Sequence, residues 1–226
     1  MDGGGSCHVR SSVSTRAVQY NMIYDISPPL TSKLAVWPGD VSFRPLRMSA
    51  LQATAHLGAH ADAPSHIGSD GISIDQCPLD WYLGLCQVMH VEVARGQTIT
   101  PAMLPAPIQA PRVLVATGTY PDPDFFNEDF AGLSPELIAH LHQQGVKLVG
   151  IDTPSVDRFD AKDLPTHRAC LQHGIVIVEG LRLRDVPAGL YELIALPLRL
   201  VGFDGSPVRA VLRTLSMSSV SSLDMR

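Results

Sequence analysis

Residues 55–66 run Ala-His-Leu-Gly-Ala-His-Ala-Asp-Ala-Pro-Ser-His, and no other stretch of the chain restricts its folding as tightly. Four ionisable groups, His56, His60, Asp62 and His66, all fall at even positions. An extended chain would send His56, His60 and Asp62 to one face, whereas a helix would pair the two histidines and turn Asp62 away by roughly 160 to 200°. Gly58 and Pro64 argue against the helix. The intervening residues are mostly small, which lets a backbone approach a site closely. Two imidazoles and a carboxylate converging with nothing large between them are a ligand set for a hard-to-borderline divalent metal. Buried without one, they would leave costly unpaired polar atoms. His66 is either a fourth ligand or a base beside the metal, and the second role is favoured because a catalytic site leaves coordination positions open.

Around this string the chain reads as short buried strands. Runs rich in Val, Ile and Leu, bounded by Gly, Pro or Asp, occur at 23–26, 41–48, 86–93, 112–117, 146–151, 175–179, 190–196 and 208–215. Two helices interrupt them. The first spans 134–144, with Ser134 as N-cap, Pro135 at the first helical position, an apolar face of Leu137, Ile138 and Leu141, and Gly145 suited to the left-handed position after the end. The second, 165–173, closes on Gly174 in the same way. Each leads straight into a strand, so the expectation is an α/β domain with a mixed sheet.

Composition narrows the function classes. The chain has 226 residues, 45% hydrophobic and 17% charged, enough for one domain with a substantial core. Its 17 basic and 22 acidic residues give −5, with the basic ones scattered, which disfavours nucleic acid or an anionic membrane as partner. No apolar run reaches the roughly 18 residues of a membrane span. Four widely spaced cysteines without a CxxC pair suggest reduced thiols in a cytoplasmic protein. Residues 1–21, rich in Ser and Gly, are expected to be a disordered leader without a secretory core, ahead of a single domain at 22–226.

A metal with one carboxylate and two histidines usually recruits further ligands. His167 begins the second helix and Glu179 ends the strand that follows it. A helix packed on its own following strand can bring those two ends to one rim, although each could equally cap or be solvated. His90, His140 and His142 are expected to be structural or surface residues. Trp37, in VWPGD, is either a core or turn residue or a ring that stacks on an aromatic ligand. No Gly-rich phosphate loop and no GxSxG motif occur, so nucleotide and serine-hydrolase chemistries have no support.

Taken together, HLGAHADAPSH, the upstream WPGD, GIDTPS, the His167 and Glu179 pair, and DGSPVRAVLR resemble the cyclase-like metal-dependent hydrolases, of the bacterial kynurenine formamidase (arylformamidase) type, over about residues 22–215. The resemblance implies a swivelling β/β/α domain, a homodimer, and two divalent metal ions, Zn2+ or alternatively Mn2+. It implies His56, His60, Asp62, His167 and Glu179 as ligands, with Asp62 and Glu179 able to bridge. It further implies His66 as acid/base and Trp37 in the substrate pocket. The implied reaction is hydrolysis of N-formyl-L-kynurenine to kynurenine and formate. Hydrolysis of another C–N bond, in a cyclic imide or isatin-like ring, is the alternative, and a non-catalytic metal-binding protein the alternative of another class.

Overall fold

The computed structural model describes residues 22–45 and 50–215. The expected leader at 1–21, with Cys7 and His8, lies outside the described residues. Within the described residues, thirteen strands and two α-helices follow one another: β1 Ile23–Asp25, β2 Arg44–Pro45, β3 Leu51–Gln52, β4 His60–Asp62, β5 Leu83–His90, β6 Thr98–Ile99, β7 Arg112–Ala116, β8 Gly132–Leu133, α1 Pro135–Gln143, β9 Leu148–Ile151, α2 Pro165–His173, β10 Val176–Glu179, β11 Gly189–Ile194, β12 Gly205–Pro207 and β13 Val211–Thr214.

Nine strands form one sheet in the order β1-β13-β11-β5-β7-β9-β10-β4-β12. Its centre, β5-β7-β9-β10, is parallel, and antiparallel strands flank it on both sides. The mixed α/β sheet expected from the two helix-Gly-strand units is the one found. Both glycines take the left-handed conformation, Gly145 at φ 79° and Gly174 at φ 65°.

The core splits between the two faces of this sheet, as alternation along each strand requires. Val113, Val115, Val149, Ile151 and Ile177 pack with Leu137, Ile138 and Leu141 of α1 and Ala169 and Cys170 of α2. Leu114, Ala116, Leu148 and Val178 turn to the opposite face, where they meet Tyr82, Leu193 and Leu212.

Strand register decides where the ionisable residues go. In the antiparallel β10–β4 pair, Glu179 lies opposite His60 and Ile177 opposite Asp62. Residues directly opposite share a face. His60, Asp62 and Glu179 therefore stand with Ile177 on the face that α2 covers.

Two expectations need correction. Of the strand foreseen at 41–48, residues 41–43 are not strand, Arg44–Pro45 pair with Leu51–Gln52, and residues 46–49 lie outside the described ones. The extended reach from His56 to Asp62 is also wrong at its start. The chain turns at Gly58, φ 60°, and only His60–Asp62 is strand. His56 meets Asp62 by folding back through that turn, which glycine's freedom at positive φ permits.

Candidate metal centre

Three chain segments meet where β4, β10 and the start of α2 converge. His56 Nδ1 lies 3.0 Å from Asp62 Oδ1. His60 Nε2 is 3.6 Å from Asp62 Oδ1 and 3.1 Å from Glu179 Oε2. His167 Nε2 is 3.3 Å from Asp62 Oδ2 and 3.4 Å from Glu179 Oε1. Each carboxylate thus spans the gap between His60 and His167, one oxygen toward each. His56, His60 and Asp62 offer ligand atoms all within 4.8 Å of one another, as do Asp62, His66 and His167.

Close approach depends on two glycines. A Cβ on Gly205 would lie 2.6 Å from His56 Cε1, and one on Gly180 would lie 2.1 Å from the Gly58 carbonyl oxygen. A side chain at Gly205 would displace the His56 ring, and one at Gly180 would push its segment off the turn at Gly58.

The backbone and neighbouring acids orient the ligands. His60 Nδ1 is 2.9 Å from the Gly58 carbonyl oxygen, so Nδ1 donates and Nε2 is left to face the carboxylates. Asp157 accepts from the backbone N–H groups of Thr166 and His167 at 2.9 and 3.0 Å and stands 2.7 Å from His167 Nδ1. The Val156 N–H donates to Glu179 Oε1 at 2.6 Å. His66, at the end of the single-turn helix Pro64–His66, places Nδ1 3.0 Å from Asp204 Oδ2.

The donor set fits a cation. His56 Nε2 and Asp62 Oδ2 are buried with no hydrogen-bond partner. Asp204 Oδ1 lies 3.4 Å from that nitrogen, and His167 Nε2 3.3 Å from that oxygen, yet neither contact is aimed as a hydrogen bond. Buried polar atoms left unpaired are costly, and cations held in the cluster would relieve them.

Proton affinity points the same way. Burial by itself lowers the His56 pKa, but the hydrogen bond and charge of Asp62, with Asp204 and Glu179 behind it, raise it to about 9. Burial is likewise overcome at His60 by Glu179 and Asp62, and at His167 by Asp157, Asp62 and Glu179, so both are raised. Asp62 is held well below the usual carboxylate range against its burial by His167 and His56. The negative potential that gathers protons here is the potential that attracts a divalent ion.

Over the centre opens a cavity of about 710 Å³, lined in part by His56, His60, His66, His167 and Glu179. One wall is aromatic. Trp37, half-buried, packs against Phe159 at 5.0 Å between ring centroids and against Phe126 at 5.6 Å, and Tyr120 joins Phe126 at 5.9 Å. Trp37 also accepts the Asp40 N–H through its carbonyl, so it serves both a turn and the wall. Asp152 ties this wall to the sheet by accepting from the Thr117 and Gly118 N–H groups at 2.9 and 2.8 Å.

The family model described as "Putative cyclase" matches residues 24–158, more than half of the chain. The chain belongs to the cyclase family. Among solved structures, it is similar to one of a potential metal-dependent hydrolase with cyclase activity, at 29% identity and TM-score 0.77, covering 87% of this chain and 100% of the other. A predicted metal-dependent hydrolase from Bacillus stearothermophilus matches at 28% and 0.71, again over 87% and 100%. Isatin hydrolase A from Labrenzia aggregata, at 23% identity, shares the fold with TM-score 0.72 over 87% of this chain and 94% of its own.

In this cyclase-family chain the structure brings His56, His60, Asp62, His66, His167 and Glu179 into one cluster and sets Trp37 in the cavity above it. Sequence reasoning missed Asp157 and Asp204, the acids that hold His167 and His66. Their signal was weak: Asp157 follows a parallel strand end, where open α/β sheets place ligand residues, and Asp204 precedes the small Gly205. Tyr120 and Phe126 were missed as well. The histidines assigned to structure behave so. His90 Nε2 lies 2.7 Å from the Val186 carbonyl oxygen, and His142 stacks on His173 at 4.8 Å.

Proposed function

We propose that this cyclase-family chain is a metal-dependent amide hydrolase of the arylformamidase type, cleaving N-formyl-L-kynurenine to kynurenine and formate. The observation that carries this is the imidazole–carboxylate cluster with two orphaned buried atoms at the floor of an aromatic-walled cavity. His56, His60 and Asp62 would hold one divalent ion, Zn2+ or Mn2+, and Asp62, His167 and Glu179 a second. Bound there, the ions supply a water acidic enough to be nucleophilic near neutral pH and Lewis-acid polarisation of the formyl carbonyl.

The chain's own residues supply the rest. Trp37, Tyr120 and Phe126 hold the aryl ring by stacking and edge contact. Asp204 fixes the His66 ring through Nδ1, leaving Nε2 as the nitrogen that exchanges a proton with the leaving amine. Asp157 does the same for His167, leaving its Nε2 to the cluster.

A second C–N substrate class, the isatin-like ring, draws support from the isatin hydrolase fold neighbour. A cytoplasmic site suits the buried free thiols of Cys77, Cys86 and Cys170. A homodimer suits the exposed Leu198, Val201 and Phe203, because Phe203 also lines the cavity.

Formate release from N-formyl-L-kynurenine by metal-loaded protein tests the first reading, with isatin ring opening run beside it. Formate without ring opening is expected. Ring opening without formate would move the assignment to the second class, and neither, with metal bound, would leave a non-catalytic metal protein. His66→Ala should keep its metal while losing about 10² to 10⁴ in turnover. Unchanged turnover would remove His66 from the chemistry.

A further inference from the structure

The mouth of the cavity carries charge that the bond cleavage itself does not use. After Glu179 the chain continues Gly180-Leu181-Arg182-Leu183-Arg184-Asp185. Leu181 and Leu183 are buried in the core on the sheet face away from the helices. Arg182 and Arg184 alternate with them, are exposed, and line the cavity.

Their backbone is held firmly. The Leu181 N–H donates to the Ile151 carbonyl at 3.1 Å, that of Arg182 to Ile26 at 2.8 Å, and that of Val186 to Leu183 at 3.1 Å. The two side chains therefore start from a fixed base just beyond a proposed ligand.

Their guanidinium groups are uncommitted. Arg95, Arg158, Arg209 and Arg213 each hold a carboxylate. Among the described residues no carboxylate lies within 4.0 Å of Arg182 or Arg184, even though Asp40 and Asp185 line the same cavity. In a chain of net charge −5 with more acids than bases, two neighbouring unpaired arginines at the rim of an aromatic-walled cavity are a matched receptor for an anion.

Resting on the amide-hydrolase reading above, we infer that Arg182 and Arg184 form an anion subsite that takes the carboxylate of the aryl amide substrate and makes that carboxylate a determinant of specificity. The ring enters against Trp37 and Phe126 with its amide over the cluster, and the carboxylate stays at the mouth between the two forks. Neutral aryl amides of the same shape would lack this contact.

Calorimetric titration of the metal-loaded full chain with 2-aminobenzoate and with 2-aminobenzamide, one anionic and one neutral on the same ring, tests the subsite without any turnover. The native chain should bind the anion about 10-fold or more tighter, in keeping with charge-assisted bidentate pairing. The doubly substituted Arg182→Gln, Arg184→Gln protein should lose most of that preference, and Arg182→Lys should keep part of it. Both side chains are exposed, and an unchanged melting temperature would show that the variants fold. Equal binding of the two ligands by the native chain would overturn the inference. So would a preference that survives the double substitution, because the carboxylate would then be held elsewhere, as at the metals. Failure of the formamide assay leaves this binding readout intact, so failure of the subsite and failure of the hydrolase reading are told apart.

Discussion

The two helices lie side by side on one face of the sheet and begin in opposite ways. α1 is capped by its own residues: the Ser134 hydroxyl accepts the Leu137 N–H at 3.1 Å, Pro135 occupies the first position, and the buried face is purely apolar. α2 also starts with proline, but the residue before it, Leu164, sits in the left-handed region at φ 46° and offers no cap. That conformation costs a residue with a Cβ about 1 to 2 kcal/mol. The free amides of α2 go instead to Asp157, nine and ten residues back in the chain, and the same carboxylate holds the His167 ring. α1 closes the core over β7 and β9 by local rules. α2 breaks those rules at its first turn, and the break places an imidazole over β4 and β10. Strain and a remote cap are tolerated where a side chain must be aimed.

Of the changes that set the two helices apart, removing the remote cap should produce the largest effect. In Asp157→Ala, two helix amides and His167 Nδ1 lose their shared acceptor together. Turnover or metal affinity should fall about 10- to 100-fold, the usual range when the partner of a metal-ligating histidine is lost. Thermal stability should fall too, since those amides are buried. Asp157→Asn keeps an acceptor for the backbone but only a neutral partner for the ring, so it should recover stability more than turnover. Metal content and melting temperature, measured beside formate release, separate the two contributions. If Asp157→Ala lost stability alone, the first turn of α2 would be capped like any other and the contrast with α1 would disappear.

Proton linkage bears on the same contrast, because raised imidazoles gather at the start of α2 and beside β4 beneath it. In metal-free protein His56 moves from 6.5 to about 9, and His60 and His167 are raised too. A folded-state pKa above the unfolded one stabilises fully below pH 6.5 and is lost as pH climbs through the folded value. Chelator-treated protein should therefore become less stable between pH 6.5 and about 9. A divalent ion needs neutral imidazoles, so loading should release protons, and the gain in stability from metal should widen over that interval. Melting curves with and without metal across these pH values check the sign. Metal-free protein that became more stable with rising pH would show that the cluster's carboxylates do not hold those protons.

What could be foreseen divides along the same line. The cap, proline, apolar stripe and terminal glycine of α1 are neighbours in sequence, so Ser134 to Gly145 is legible residue by residue. His60 and Asp62 are legible for the same reason, being two apart on one strand, and the convergence of His167 with Glu179 needs only a helix folded back on its own strand. The remaining parts depend on contacts that no local period encodes. Asp204 reaches His66 across 138 positions of chain, and the pairing of β12 with β4 brings it there. Leu164 is an ordinary apolar letter whose backbone strain is visible only in three dimensions. The turn at Gly58 was misjudged because alternation of even positions suits a strand equally well, and only the approach of Gly180 to the Gly58 carbonyl shows why the chain must bend.

The smallest expected effect is the control on the α1 side. Ser134→Ala removes one acceptor from a buried N–H and one cap from a nine-residue helix, a change worth about 1 kcal/mol of stability. Nothing in α1 lines the cavity or touches the cluster, so kcat and KM on the formamide should match those of the native chain, and so should metal content. Equal stability losses from Ser134→Ala and Asp157→Asn, with a loss of turnover confined to the second, would mark α1 as scaffold and the start of α2 as machinery. A loss of turnover in Ser134→Ala would instead mean that the helices move together through the contact between α1 and α2, and the site would have to be extended to the whole helical layer.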